Sequence, residues 1–354
     1  MPLAEALEDQ HRLAQAVSST ANALWQIGDN VRACAFAQRG LLLAEAIGDA
    51  VSLVHSGLNL GMILRTRGDY RGATAVLAKP VALLQGDLAR ELLGRALYPA
   101  ITARAVLADC LTCLGEFSQA IAAAEEGIRI AEAIQQPASL LNAHHSACYP
   151  LLGQGRFHDA IPRLERSLAL WNASDVAAWH HRNAGTLGYA YAMTGQLTEA
   201  FPLLEQAVER ARRVDRRNET RVLVYFAEAY LHVGQQGDAN ATAARALDLS
   251  RERCERGAEA WAMWLLGEIH AQYEPPNAEQ TETYYCKTLA LAEELGMRPL
   301  QAHCHRGLGT LYAKMSQREQ AYAELSAAIT LYRAMEMTFW LPQTEAALAQ
   351  VEGQ

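Results

Sequence analysis

Residues 182–211 read RNAGTLGYAYAMTGQLTEAFPLLEQAVERA, with small side chains at Gly188, Gly195, Ala200 and Ala207 and large ones between them. The segment is otherwise rich in helix formers, and a glycine inside a helix costs about 1 kcal/mol relative to alanine. Small residues in such a segment indicate a packing requirement rather than a local preference. If the requirement is structural, the same spacing should recur elsewhere in the chain.

The spacing does recur. Turn glycines follow one another at intervals of 40, 47, 40, 40 and 39 residues, and Ser316 takes the same place in a last unit: Gly28, Gly68, Gly115, Gly155, Gly195 and Gly234. Five residues after each turn stands an alanine: Ala33, Ala73, Ala120, Ala160, Ala200, Ala239 and Ala321. Seven residues before each turn the side chain is small: Ala21, Gly61, Ala108, Cys148, Gly188, Ala227 and Gly309. One helix hairpin cannot bury its own apolar face, so such units stack, and small residues mark the places where helices cross closely.

The period predicts one continuous solenoid over residues 1–354. Its expected repeats are 8–47, 48–94, 95–134, 135–174, 175–213, 214–253, 254–295 and 296–335, followed by a capping helix at 337–352. Two places break the period, the insertion after Pro80 and the turn Glu274-Pro275-Pro276-Asn277. We expect Pro80 to kink or restart its helix, and the seven extra residues to lengthen helices by about two turns. Whether Pro80 and residues 81–95 form a hinge is left open.

The order L-G-x-x-Y-x-x-x-G-x-x-x-x-A, present as Leu187-Gly188, Tyr191, Gly195 and Ala200, resembles the tetratricopeptide repeat (TPR). Long arrays of this period resemble the C-terminal superhelical regions of bacterial STAND ATPase regulators and of ATPases fused to adenylate/guanylate cyclase domains. Residues 291–348 look particularly like the end of the cyclase–ATPase group. The resemblance implies an all-α, right-handed α-solenoid of about eight TPR-like hairpins with a C-terminal capping helix. Because no G-x-x-x-x-G-K-[ST] motif is present, the resemblance implies a detached or excised module of such a protein, and whether the chain is a stand-alone protein or an excised module is left open.

Composition excludes several classes of function. The formal net charge is −8 and the pI is about 5.8, whereas a nucleic-acid-binding protein needs a basic face. No apolar run approaches the roughly 18–20 residues that cross a bilayer, and the first residues lack the order of a signal peptide. Seven scattered cysteines are typical of reduced thiols. We therefore expect a cytoplasmic protein that contacts neither nucleic acid nor membrane.

No arrangement of reactive side chains predicts catalysis. Cys110 and Cys113 have metal-ligand spacing, but no second pair follows, so packing is the preferred interpretation. Neighbours on a helix point about 100° apart, so His144 and His145 cannot easily chelate one ion. No nucleophile–base pair can be proposed. The sequence predicts no enzyme activity, no cofactor and no metal.

The resemblance also implies a binding surface. In the TPR family the concave groove is lined by first-helix positions thirteen, ten, six and three residues before the turn glycine. Transferred to this chain, these positions include Asp109 and the predicted groove set, which is His55, Met62, Arg65, Asn142, His145, Tyr149, Arg182, Tyr189, Arg221, Glu228, Trp261, Trp264, Glu268, His303 and Arg306. Aromatic and arginine side chains are frequent at binding hot spots, although aromatics at these positions can also simply pack between helices.

A second candidate surface is a basic edge where one hairpin ends and the next begins: Arg210, Arg212, Arg213, Arg216 and Arg217. These cations could dock an acidic partner, or could serve only to complement helix C-termini and keep the edge soluble.

The sequence thus predicts a non-enzymatic scaffold or regulatory module of a bacterial signalling system. Its partner would be a protein or peptide, such as a domain of the same signalling system, bound in the concave groove. The alternative is a small-molecule sensor domain of a transcriptional or cyclase/ATPase regulator.

Overall fold

The computed structural model describes residues 10–172, 180–273 and 277–353, and over these ranges the regular structure is helical, without strands. In chain order the α-helices are α1 (Gln10–Gln26), α2 (Asn30–Ile47), α3 (Ala50–Arg67), α4 (Tyr70–Leu83), α5 (Pro99–Leu114), α6 (Phe117–Ile134), α7 (Pro137–Ser146), α8 (Cys148–Gly153), α9 (Phe157–Asn172), α10 (His180–Met193), α11 (Leu197–Val214), α12 (Arg216–His232), α13 (Gln236–Glu252), α14 (Arg256–Ala271), α15 (Ala278–Leu295), α16 (Arg298–Lys314), α17 (Arg318–Ala334) and α18 (Leu341–Glu352). They form a series of hairpins, with α7 and α8 together making one arm of the fourth hairpin, and α18 packs on the last. The all-α solenoid fold is confirmed. The proposed boundaries of the repeats, and their reading as one solenoid over the whole chain, stay predictions.

The small residues lie where the two helices of a hairpin cross. A Cβ added to Gly188 would lie 2.9 Å from the carbonyl oxygen of Ala200 and 2.9 Å from Cγ of Leu204. In the last hairpin a Cβ on Gly309 would lie 2.6 Å from Cγ of Leu325. Both glycines therefore permit an approach that no larger side chain would allow.

The insertion in the second hairpin does not lengthen a helix, contrary to expectation. Helix α4 continues three residues past Pro80 and ends at Leu83, and the extra residues form a 3₁₀ turn, Gly86–Arg90, followed by a loop. Gly86 and Gly94 have φ values of 55° and 74°, which interrupt helical geometry. The added chain is therefore free to turn toward the inside of the solenoid. The other irregular turn, at residues 274–276, lies outside the described residues.

The solenoid coils tightly enough that its early turns meet its late helices. Asn30 Nδ2 donates a hydrogen bond to the main-chain oxygen of Arg253 at 2.7 Å, and Gln154 Nε2 donates to that of Met335 at 3.3 Å. We call these contacts the seam. In the seam, the turns of the first four hairpins contact the chain near residues 253–257, 295–298 and 335–340. The seam joins hairpins about five units apart, so the concave surface becomes the wall of an inner channel.

The turn glycines divide into two groups at the seam. All six have φ between 75° and 90°, the left-handed conformation that ends a first helix. A Cβ on Gly155 would lie 2.3 Å from Cβ of Phe339, whereas a Cβ on Gly195 or Gly234 would meet nothing within 4 Å. Early turn glycines such as Gly155 therefore serve both the turn and the seam, and Gly195 and Gly234 serve the turn alone.

Two further expectations concern the oxidation state of the cysteines and the presence of a membrane-spanning helix. All seven cysteines are unpaired thiols. Among the described helices, none is both long and apolar enough to span a membrane.

Candidate functional site: the inner channel

The inner channel has two parts that meet at a charged junction. The wide chamber, about 960 Å³, is formed mainly by the first four hairpins, and the narrow chamber, about 180 Å³, by later ones. Residues that line both chambers define the junction: Arg65, Asp109, Tyr149, Arg217 and Asn218. A ligand entering the wide chamber would reach the narrow one past this junction.

Most of the predicted groove set lines this channel. The wide chamber receives His55, Met62, Asn142, His145 and Arg182, in addition to the junction residues Arg65 and Tyr149. The narrow chamber receives Tyr189, Arg221, Glu228, Trp261, Trp264 and His303. Glu268 and Arg306 are not among the lining residues. They pair with each other at 3.5 Å, and Tyr285 donates a hydrogen bond to Glu268 at 2.7 Å.

At the junction one carboxylate serves two arginines. Asp109 accepts from Arg65 at 2.6 Å and from Arg221 at 3.0 Å, and the Arg221 guanidinium lies 4.9 Å from the centre of the Tyr149 ring. Burial by itself would raise the pKa of the Asp109 carboxyl, but the two guanidinium groups lower it below its ordinary value. Asp109 is therefore ionised at neutral pH and balances one of the two positive charges.

A second buried carboxylate, Asp215, organises the wall of the wide chamber. It lies 3.0 Å from His181 Nε2 and accepts from Arg182 Nε at 2.7 Å, Arg217 Nε at 2.9 Å and Asn218 Nδ2 at 2.6 Å. Burial raises the pKa of this carboxyl, but its hydrogen bond with His181 and the two arginines lower it strongly overall. The cluster orients Arg182 and Arg217 at the chamber wall.

The basic edge is consequently split. Arg217 faces the channel, whereas Arg212, Arg213 and Arg216 are exposed and Arg210 is half-buried. The Arg217 guanidinium also lies 4.4 Å from the ring centre of Trp25 in the first hairpin. Arg212, Arg213 and Arg216 therefore remain as the exposed part of the predicted basic edge.

The narrow chamber is walled by aromatic rings. Tyr189 and Tyr225 stack with ring centres 4.3 Å apart, and Trp264 lies 5.5 Å from Trp261 and 5.4 Å from His303. The Trp264 indole nitrogen is buried and has no acceptor within the described part of the chain. An unpaired buried donor is costly to the folded state.

Two carboxyls border the same chamber. Burial raises the pKa of Glu228 to about 7, although its hydrogen bond with Tyr189 opposes the shift. Burial likewise raises the pKa of Glu255 to about 7, although the nearby Thr220 hydroxyl and Arg253 oppose the shift. Both groups can therefore gain or lose a proton near neutral pH.

Sequence reasoning missed several channel residues. Tyr225 stands three residues before Glu228 on α12, and extending the groove stripe by one i, i+3 step would have found it. Arg95 comes from the irregular insertion, and Trp340 from the segment after the last hairpin, so repeat register does not reach either one. Within the described ranges, no three His, Cys, Asp or Glu side chains are placed to hold a metal ion.

Comparison with known proteins agrees with this architecture. The tetratricopeptide repeat family model matches residues 175–252, which include Arg182, Tyr189 and Arg221. A kinesin light chain-related protein (number 2) of Arabidopsis thaliana is 25% identical over 194 residues, a match that covers 51% of this chain and 28% of that relative. The chain thus spans less than a third of the curated relative it matches.

Solved structures with the same fold have lower identity. A Rap protein complexed with competence and sporulation factor has a TM-score of 0.65 at 13% identity, covering 83% of this chain and 79% of that one. NprR in complex with its cognate peptide NprX has a TM-score of 0.55 at 16% identity, covering 84% and 82%. A STAND protein with a TPR sensor from Pyrococcus horikoshii has a TM-score of 0.50 at 13% identity, covering 98% and 50%. The chain therefore has the fold of a tetratricopeptide-repeat solenoid, as the motif around Gly188 predicts.

Proposed function

We propose that this protein is a non-enzymatic, cytoplasmic regulatory scaffold of a bacterial signalling system, and that it binds a protein or peptide segment inside its inner channel. The partner could be a domain of the same signalling system. The observation that carries the proposal is the channel itself, which arginines and aromatic rings line from several hairpins. These are the side chains on which binding hot spots most often depend.

The shape of the channel favours a chain segment over a compact ligand. The wide chamber lies near the upper limit of the roughly 300–1,000 Å³ typical of small-molecule sites, and it leads on into a second chamber. An extended segment could occupy both parts and place one side chain among the aromatic rings. NprR, which has the same fold, is described in complex with its cognate peptide, and this supports a peptide ligand here.

A small-molecule sensor remains the second candidate because of one specific feature. The narrow chamber is lined by Trp261, Trp264 and Tyr225, and its volume of about 180 Å³ suits a small aromatic metabolite as well as a side chain. The STAND relative in which such an array is described as a sensor supports this candidate.

Selection of peptides from a random displayed library on the immobilised protein tests the proposal, with a metabolite panel in thermal-shift assays beside it. Any ligand that binds only the folded state raises its melting temperature. Enriched peptides that also raise the melting temperature would support the scaffold. A metabolite that raises it, with no peptide enriched, would favour the sensor instead.

Paired variants then locate the site. Tyr189→Phe with Trp261→Phe removes the hydroxyl and the indole N–H of two half-buried side chains that line the narrow chamber but keeps an aromatic ring at each place, so it should weaken binding of a selected peptide at least about tenfold. The matched edge variant, Arg212→Glu with Arg216→Glu, should bind normally. If the edge variant fails and the channel variant binds normally, the assignment to the channel is wrong.

A further inference from the structure

The insertion in the second hairpin carries a charged residue into the wide chamber. Arg95 lies in the loop after the 3₁₀ turn Gly86–Arg90, and together with Leu93 and Leu97 it lines the chamber wall. Neither the repeat period nor the groove register requires an arginine at this place. The insertion therefore adds a side chain to the binding surface rather than length to a helix.

The contacts of Arg95 are with neutral groups only. Its Nη2 donates to Asn59 Oδ1 at 2.6 Å and to the main-chain oxygen of His55 at 3.3 Å. Its Nε is buried and has no acceptor, and in the described ranges no carboxylate lies within ion-pair distance. Much of the donor capacity of the guanidinium, which has five N–H groups, is thus unused.

The other arginines of the chamber differ in this respect. Arg65 pairs with Asp109, and Arg182 and Arg217 pair with Asp215. Burial lowers the pKa of Arg95, and no carboxylate within the described ranges opposes this. A partly buried guanidinium without a counter-ion is unfavourable for folding, and an anionic ligand would remove that penalty.

The charge balance of the junction points in the same direction. Asp109 is shared by Arg65 and Arg221, so one negative charge faces two positive ones. The chain as a whole carries a net charge of −8. The wide chamber is lined by four arginines and three aspartates, so it carries a small excess of positive charge inside an acidic protein, which attracts anionic segments and disfavours cationic ones.

We propose that the wide chamber selects an acidic peptide segment, and that Arg95 forms an ion pair with one of its carboxylates. This inference rests on the proposed peptide-binding function and specifies the chemistry of the peptide. Arg95 acts as the anchor, and Asn59 accepts a hydrogen bond from the Arg95 guanidinium and so fixes it at the chamber wall. The excess positive charge at the junction attracts the remainder of the segment toward the narrow chamber.

The test compares library selections on the wild-type protein and on Arg95→Gln. Wild type should enrich peptides with Asp or Glu, and Arg95→Gln should lose that enrichment. The leading peptide is then synthesised with a fluorophore, once as selected and once with each acidic residue replaced by its amide. Fluorescence anisotropy should give at least about tenfold tighter binding of the acidic form to wild type, with most of the difference lost in Arg95→Gln and partly kept in Arg95→Lys.

Controls separate the possible failures. Arg212→Gln, which removes an exposed arginine of the basic edge, should bind like wild type, and circular dichroism checks that every variant is folded. If the enriched peptides are neutral, or if Arg95→Gln keeps the full preference for acid, the inference about Arg95 is overturned while peptide binding stands. If no peptide is enriched and inorganic phosphate alone raises the melting temperature of wild type but not of Arg95→Gln, both the acidic peptide and the proposed function are overturned.

Discussion

The seam makes two glycines with the same local role unequal, and this can be measured. Gly155 and Gly195 end the first helices of neighbouring hairpins with φ values of 77° and 80°. Alanine at either position must adopt the left-handed conformation, which costs about 1–2 kcal/mol. Because this strain is common to both variants, it cancels when Gly155→Ala is compared with Gly195→Ala.

The difference in the free energy of unfolding between the two variants then comes from the contact across the seam. The new Cβ of Gly155→Ala would lie 2.3 Å from Cβ of Phe339 and 3.0 Å from the ring of Trp340, whereas that of Gly195→Ala meets nothing within 4 Å. Overpacking of this kind costs about 1–3 kcal/mol. We therefore expect Gly155→Ala to reduce the free energy of unfolding by about 1–3 kcal/mol more than Gly195→Ala does.

Urea denaturation followed by far-ultraviolet circular dichroism measures the difference, and small-angle X-ray scattering of the folded variants reports whether the solenoid has opened. Gly234→Ala, with a φ of 75° and no neighbour within 4 Å, is the matched control and should behave like Gly195→Ala. Equal midpoints and equal radii of gyration for Gly155→Ala and Gly195→Ala would refute the closed seam.

Three further predictions concern the crossings and the channel. Gly188→Leu should lower the urea midpoint more than Gly195→Ala. The leucine overpacks a helix crossing at a cost of about 1–3 kcal/mol or more, which outweighs any gain in helix propensity. Equal midpoints for the two variants would show that the crossing is misplaced. Asp109→Asn should lower the free energy of unfolding in urea by about 3–5 kcal/mol, since it leaves two inward-facing arginines without a counter-ion. The control Asp159→Asn breaks a surface ion pair and should lower it by less than about 1 kcal/mol. Because burial raises the pKa of Glu228 from 4.5 to about 7, the folded state binds its proton more tightly, and the contribution of Glu228 to stability should fall as pH rises from about 4.5 through 7. Glu228→Gln should reduce that fall, so it should be more stable than wild type at pH 8 by up to about 3 kcal/mol and differ little from it at pH 5. If the free energies of unfolding of the two proteins run parallel with pH, the raised pKa of Glu228 is contradicted.

The candidate binding surface was accessible to sequence reasoning only where repeat register reaches. Positions such as Tyr189 and Arg221 follow from their distance to the turn glycine, and the structure places both at the narrow chamber. Arg95 and Trp340 lie in irregular segments, so no register assigns them a direction. Arg217 was assigned to the outer edge, but its ion pair with Asp215 and its contact with Trp25 turn it inward.

The sequence by itself determined the helices, their order in hairpins and the crossings within each hairpin. These features depend on residues close together in the chain, and a small side chain such as Gly188 leaves the same signal each time the unit repeats. Only the tertiary structure decided that the array closes on itself. The hydrogen bond from Asn30 to Arg253 joins residues 223 positions apart, and such a contact depends on the small rotation between successive hairpins added up over about five of them. No local pattern encodes that sum, and it is this closure that turns an open groove into a channel with two chambers.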